Sequence, residues 1–273
     1  MAVPLSEVGR RGRLNLIFSS RRGRTVIRDA YCEIPFKITR LHDSQSPEIA
    51  HLILMHSTAG LFGGDTTECT IHVESGARIL ITQQSATKAH PSGGRRAIQT
   101  NRIRVEAGGE LHIYYDPVIP FSGARVCQST FIDVDEGARL YFWEGLMAGR
   151  IGRGEIWQFD EFSSETSLRL NGRPLYLDRF RLVPNDCPPS SEWMMGSARY
   201  LATGLCFDEH ASDFAERLHL LLPSARAGID TPAPGLAVAR IVAVHGPEFH
   251  GYRSAFASNC PCRVATPVPS SSE

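Results

Sequence analysis

Between Ile71 and Phe142 the chain writes one hydrophobic pattern three times: aliphatic, x, Val, acid, x, Gly, small, x, aliphatic, x, apolar. The copies are IHVESGARILI from Ile71, IRVEAGGELHI from Ile103 and IDVDEGARLYF from Ile132. Val73, Val105 and Val134 lead to Glu74, Glu106 and Asp135, then to Gly76, Gly108 and Gly137. Ile79, Leu111 and Leu140 follow, and after them Ile81, Ile113 and Phe142. Alternating apolar positions on both sides of an acid-x-Gly-small corner predict two short strands joined by a tight turn. A unit of about thirty residues cannot bury its own face, so the copies should stack on one another. The pattern therefore predicts a mainly β protein, either a layered β-solenoid or stacked hairpins.

Outside the repeats the periodicity changes. Leu14, Leu16 and Phe18 alternate with Asn15 and Ile17, and SSRRGR then leads into Thr25-Val26-Ile27, which reads as a hairpin with an Arg-rich tip. LRLNGRPLYLDRFRL, from Leu168 to Leu182, places Asn171-Gly172 at a second hairpin turn. SDFAERLHLLLP carries Phe214, Leu218 and Leu221 at helical spacing, with Ser212 as the expected N-cap. Gly235–Val244 reads as a buried strand, and the tail from Thr266 as disordered. The expected division is a β-solenoid-like region over 1–183 and a mixed strand and helix region over 184–273, joined as one continuous domain with a small helical C-terminal part.

If the units stack in register, the segments that follow each second strand emerge side by side. They read TQQSATK (Thr82 to Lys88), YYDPVIPFSGAR (Tyr114 to Arg125) and WEGLMAGR (Trp143 to Arg150). Thr82, Gln83, Gln84, Ser85, Lys88, Asp116 and Glu144 are then expected to form a polar seam, with Glu155 following. The competing reading is that these groups satisfy buried backbone and cap the layers. Lys88 is one of only two lysines, with Lys37, among 29 basic residues. Ahead of this block, Gly60, Gly63, Gly64 and Asp65 form a glycine turn with neither the Lys nor the spacing of a phosphate loop.

Composition narrows the function classes. The formal net charge is zero at a pI of about 7.1, which supplies no bulk footprint for nucleic acid or an anionic membrane. No apolar run approaches the roughly 20 residues of a membrane-spanning helix. Seven cysteines at irregular spacing, with no secretory signal ahead of them, point to free thiols in a reducing cytoplasm. The basic N-terminus, with Arg10, Arg11, Arg13, Arg21, Arg22, Arg24 and Arg28, is also compatible with a transit peptide or a nucleic-acid arm.

Taken in order, the GxxGGD turn, TQQSATK, PFSGA, GRGE and NGRPLYLDR resemble the urease accessory protein D family, UreD or UreH. The resemblance runs from about Gly12, through GRLNLIF and RGRT, to about Leu182. Ala89-His90-Pro91-Ser92 departs from the aromatic-Arg-Ser that the family carries after ATK, and the C-terminal third lacks the family's Trp and Pro-Arg signature. The resemblance implies a β-solenoid-like fold and a non-enzymatic role. It implies a scaffold that binds the urease apoenzyme with UreF and the GTPase UreG, with Ni²⁺ passing in transit and no permanently bound cofactor. On that reading Asp65, Asp116, Glu144, Glu155 and Asp178 are candidates for the metal path, lined by Thr82, Gln83, Ser85 and Lys88. Carboxylate, imidazole and water suit a nickel transit site, whereas several thiolates would hold the ion too tightly.

Three alternatives stand beside it. His245, His250, Cys260 and Cys262 could compose a separate tetrahedral metal site, although their spacing matches no standard finger. A β-helix enzyme that cleaves polysaccharide would use paired acids, with Glu144 and Glu155 as first candidates. A β-rich interaction module without metal is the third.

Overall fold

The computed structural model describes residues 9–43, 49–91, 93–223 and 226–260. Among them the strands run β1 (Arg11–Arg21), β2 (Arg24–Cys32), β3 (Phe36–Ile38), β4 (His42–Asp43), β5 (Ala50–His56) and β6 (Thr66–Val73). Next come β7 (Arg78–Gln83), β8 (Thr87–Ala89), β9 (Ala97–Val105), β10 (Glu110–Tyr114), β11 (Val118–Pro120), β12 (Arg125–Val134) and β13 (Arg139–Met147). A 3₁₀ turn at Ile151–Arg153 leads to β14 (Glu161–Leu170), β15 (Arg173–Leu182) and β16 (Tyr200–Phe207). The chain then forms α1 (Ala211–Leu221), β17 (Ala227–Ala233), β18 (Leu236–Ala243) and α2 (Gly246–Ser258).

Two sheets lie face to face. The first has seven strands in the order β15-β14-β12-β9-β6-β1-β2. The second has eleven, its main path running β17-β18-β16-β13-β10-β7-β5-β3. Each repeat places its first strand in one sheet and its second in the other: β6 then β7, β9 then β10, β12 then β13. The acid-x-Gly corner thus joins two sheets, and the stacked-hairpin alternative gives way to a β-solenoid. Successive coils pair in parallel and in the register the repeat dictates, Val73 beside Val105 beside Val134, and Ile79 beside Leu111 beside Leu140.

The corners explain the conserved spacing within the chain. Gly76, Gly108 and Gly137 sit at φ of 73°, 74° and 78°, a position in a β-turn that favours residues lacking a Cβ. The corners also bond to one another, Gly76 N–H to Gly108 O at 3.2 Å and Gly108 N–H to Gly137 O at 3.0 Å. The corner acids have partners on the preceding coil: Glu74 pairs with Arg28, Glu106 with His72 and Asp135 with Arg104.

Both sequence-expected hairpins are present, β1–β2 and β14–β15, with turns at Arg22-Gly23 and Asn171-Gly172 in the left-handed region. The tail from Thr266 lies outside the described residues. The helix at 211–221 begins after His210 rather than at Ser212, because the Asp208 carboxylate accepts the His210 N–H at 2.7 Å and sets the start two residues earlier. β16 pairs with β13 along its length, so the C-terminal strands extend the second sheet directly.

Apolar side chains form three clusters. One fills the space between the sheets at the corner end, around Val73, Val105, Val134, Ile81, Ile113 and Phe142. Another fills the far end, around Val126, Phe159, Phe162 and Leu146. The third lies on the outer face of the second sheet, where α1 and α2 cover Trp143, Tyr141 and Tyr114. Glycines on this outer face admit the helices: a Cβ at Gly145 would stand 2.6 Å from the Phe249 ring, and one at Gly204 2.5 Å from Phe256. Gly145→Ala is therefore expected to cost about 1–3 kcal/mol by overpacking, read as a lower midpoint in urea denaturation with an unchanged slope.

Candidate functional site

Between the two inner apolar clusters the alternation turns polar. On the first sheet the row Cys69, Asn101, Thr130, Thr166 and Asp178 is in register, and beside it runs Thr67, Gln99, Gln128 and Ser164. Facing them on the second sheet are Gln83, Glu144, Thr203 and Arg240, of which the last three are also in register. The result is a polar layer that crosses the solenoid along its stacking axis.

Three adjoining cavities follow this layer. The first, of about 80 Å³, is lined by His56, Thr58, Gln83, Ser85, Thr87 and Lys88. It shares Leu54, His56, Gln83 and Thr87 with the second, of about 30 Å³, which Cys69, Gln99, Asn101, Asp116, Gln128 and Glu144 also line. The second shares Gln128, Glu144 and Gly145 with the third, of about 10 Å³, which reaches Ser164, Phe180 and Thr203. Spaces of this size accommodate waters or an ion.

Glu144 sits at the centre. Its carboxylate is buried and accepts hydrogen bonds from Gln128 Nε2 and Thr166 Oγ1, each at 2.7 Å. Burial pushes its pKa up to about 7, a shift reinforced by Asp178 and opposed by Thr166, Gln128 and Arg240. Asp178 and Arg240 form an ion pair that ties the first sheet to the second beside it. The Cys69 thiol in the middle cavity is pushed up to about 12, chiefly by burial. His56 is held below the usual histidine range by burial, so it presents a neutral imidazole.

The sequence-expected residues divide. Gln83, Asp116 and Glu144 share the middle cavity, and Gln83, Ser85 and Lys88 share the first. Thr82 points to the opposite face of its sheet, where its hydroxyl meets His51 Nε2 at 2.8 Å, because inward positions on β7 are Ile79, Ile81 and Gln83. Gln84 is exposed. Asp65 is buried, and its carboxylate accepts the Arg10 N–H at 2.9 Å and the Phe62 N–H at 2.8 Å, which locks the glycine turn to the start of β1. Glu155 pairs with Arg150, itself stacked over Phe121, so it does not join Glu144 as a carboxylate pair in these cavities. His245 is exposed at one end of α2, while Cys260 is buried just past the other end, its Sγ 3.3 Å from the Tyr114 hydroxyl. Cys262 lies outside the described residues. Among those described, no three His, Cys, Asp or Glu side chains gather as a metal site, so the four-ligand arrangement is not formed by them.

Gln99, Asn101, Gln128, Thr166, Thr203 and Arg240 were not expected from sequence. A signal for most of them existed. Six and four residues before the aligned Val73, Val105, Val134 and Leu170 stand Thr67 and Cys69, Gln99 and Asn101, Gln128 and Thr130, and Ser164 and Thr166. The repeat therefore carries two recurring inward polar positions on the strand that precedes each corner.

This architecture defines a β-solenoid-like protein with a polar layer through its interior. The family pattern described as UreD urease accessory protein matches residues 10–258, so the chain belongs to that family, and the match continues well past Leu182 through both helices. It is similar to the urease accessory protein UreD of Deinococcus radiodurans, 33% identical over 252 residues that cover 90% of this chain and 88% of the relative. The same description applies to relatives from Anaeromyxobacter sp., 33% identical over 201 residues (72% of this chain, 68% of the relative), and Nostoc sp., 32% over 178 residues (65% and 64%). The chain thus spans just under two thirds of the Nostoc relative's length. Among the described residues no helix is long and apolar enough to cross a membrane, and Cys32, Cys69, Cys127, Cys187 and Cys206 are free.

Two expected outcomes follow from the side chains. Because the folded-state pKa of Glu144 is raised to about 7, its contribution is fully present below the unfolded carboxyl pKa and is lost as pH rises through 7. Glu144→Gln should accordingly gain stability relative to the parent at pH 8, by about 1–3 kcal/mol at 1.4 per pKa unit, and lose that advantage by pH 5 in paired denaturation curves. Asp65→Ala removes the acceptor for two backbone N–H groups and should cost about 2 kcal/mol, read as a lower Tm.

Proposed function

We propose that this chain is a scaffold for urease maturation that binds the urease apoenzyme together with UreF and the GTPase UreG and passes Ni²⁺ along its polar layer toward the urease active site. It acts in the cytoplasm, turns over no substrate of its own and retains no cofactor; nickel is its cargo. The observation that carries this reading is the continuity of the layer: three cavities that share lining residues run between two dry cores, with Glu144 at the junction of two of them.

The donor chemistry supports transit. Carboxylate, amide oxygen and neutral imidazole are ligands that nickel accepts and exchanges, and the buried Cys69 stays a thiol, so it offers no strong thiolate trap. Glu144 gives up its proton near neutrality and so supplies a negative charge when a cation is beside it.

Co-expression of urease subunits, UreF and UreG in nickel medium, with and without this chain, tests the reading. Urease activity and co-purification with urease are expected to depend on the chain; unchanged activation in its absence would reject the proposal. Glu144→Gln should lower the nickel content of the urease recovered while the complex still forms. Loss of the complex instead would assign Glu144 to structure.

A further inference from the structure

Two amide groups in the middle cavity have an oxygen to spare. Gln83 Oε1, from the second sheet, and Gln99 Oε1, from the first, are buried and meet no hydrogen-bond donor among the described residues, and both side chains line this one space. Buried polar atoms are satisfied in the great majority of cases, so two bare oxygens on one small cavity call for an occupant that seeks lone pairs. The two acids on the same wall are engaged: Glu144 accepts from Thr166 Oγ1 and Gln128 Nε2, and Asp116 pairs with Arg253.

Register puts the oxygens there. Gln99 stands between Thr67 and Gln128 in the inner row of the first sheet. Gln83 takes the inward place after Ile79 and Ile81 on β7, beside Leu54 of β5. His56 follows Leu54 by two residues, on the same side of β5, and lines both the first cavity and the middle one. The Phe36 ring meets the imidazole edge-on, with centroids 5.2 Å apart and planes at 86°, which restrains the ring. A space of about 30 Å³ holds about two or three waters. A divalent cation cannot bring its full hydration shell into it and must accept donors from the wall instead.

We infer that Gln83 Oε1, Gln99 Oε1 and a ring nitrogen of His56 form an uncharged pause site for a divalent cation where the first cavity passes into the middle one, with water in the remaining positions. This rests on the nickel-transit reading and adds which donors the ion meets and where it stops. Amide oxygen and imidazole are donors that nickel accepts, and without a thiolate or a carboxylate among them the site holds the ion loosely enough for it to leave. The arrangement also gives the passage a direction. Glu144 lines the same cavity beyond Gln128, so an ion taken up by uncharged donors moves on toward a carboxylate rather than starting from one.

The test is Ni²⁺ titration of the purified full-length chain by calorimetry, with a melting curve for each variant. Gln83→Leu, Gln99→Leu and His56→Leu are each expected to weaken Ni²⁺ binding at least about tenfold, the lower end of what loss of a group supporting a metal costs. Gln99→Glu keeps the oxygen and adds a charge, so it should bind Ni²⁺ more tightly than the parent, a gain that altered packing does not produce. If folded leucine variants bind Ni²⁺ with the affinity of the parent, the cavity holds water only and the proposal is overturned. If the leucine variants do not fold, nuclear magnetic resonance of the parent decides. Ni²⁺ should broaden the side-chain amide signals of Gln83 and Gln99 and the imidazole signals of His56, and signals that stay sharp at saturating Ni²⁺ overturn the proposal. Because binding is measured on the isolated chain, this failure is distinct from failure of the transit reading, which shows as urease activation that does not need the chain.

Discussion

Parallel in-register stacking is the constraint on which the rest of this structure depends. Once Val73, Val105 and Val134 lie beside one another, every other position of the repeat is fixed against its counterparts, on both sheets and both faces. The glycine corners make this possible by turning the chain from one sheet to the other in the same number of residues each time, and by bonding corner to corner. A register slip of one residue would send the inner aliphatic row to the outside and the polar row with it. Stacking thus converts a polar residue at one repeat position into a continuous row, a property that no single strand possesses.

A polar layer between two apolar cores is costly unless its members satisfy one another. Here amide, hydroxyl and carboxylate groups interlock across the sheets, Gln128 and Thr166 on Glu144, and Asn101 Nδ2 on Thr130 Oγ1 at 3.2 Å. Two buried glutamates show how the surroundings decide the outcome. Glu110 suffers a desolvation penalty, but His112, Arg139 and Arg78 overcome it and hold the carboxyl well below the usual range. Glu144 has neutral donors and a second acid nearby, so burial prevails and its pKa rises. The first is a permanent charge that braces the outer face of a sheet; the second changes charge in the range where a cell works.

Much of the fold was legible because the repeat is short, regular and punctuated by glycine. The hydrophobic period gave the strands, and the stacking argument gave a layered β architecture, solenoid or stacked hairpins, with a polar seam along it. What the pattern could not give was the sheet to which each strand belongs, since a tight corner reads the same whether it closes a hairpin or joins two sheets. That ambiguity displaced the site. Of the candidates that follow each second strand, Gln83, Asp116 and Glu144 line the middle cavity, whereas Thr82 faces the other way by alternation; Asp65, in the turn before β6, spends its carboxylate on backbone. Half of the layer comes from the first strands, at Gln99, Asn101, Gln128 and Thr166, in stretches such as QTN, CQS and ETS where polar residues run together and no alternation marks which of them face inward. Arg240 and Thr203 belong to strands with no repeat at all, and only the pairing of β16 and β18 onto β13 brings them alongside Glu144.

The same topology explains why α2 matters to an interior it never enters. Sheets are one residue thick, so a residue on the inner face and its neighbour in sequence on the outer face are separated by a single backbone. Glu144 faces the cavities while Trp143, one position earlier, packs against Phe249 and Phe256. Gly145, one position later, lets the Phe249 ring come against the strand itself. These aromatic contacts hold α2 directly against β13, the strand that carries the Glu144 carboxylate. The helical face and the polar layer therefore lie on opposite sides of one strand, with Trp143 and Gly145 toward the helices and Glu144 toward the cavities.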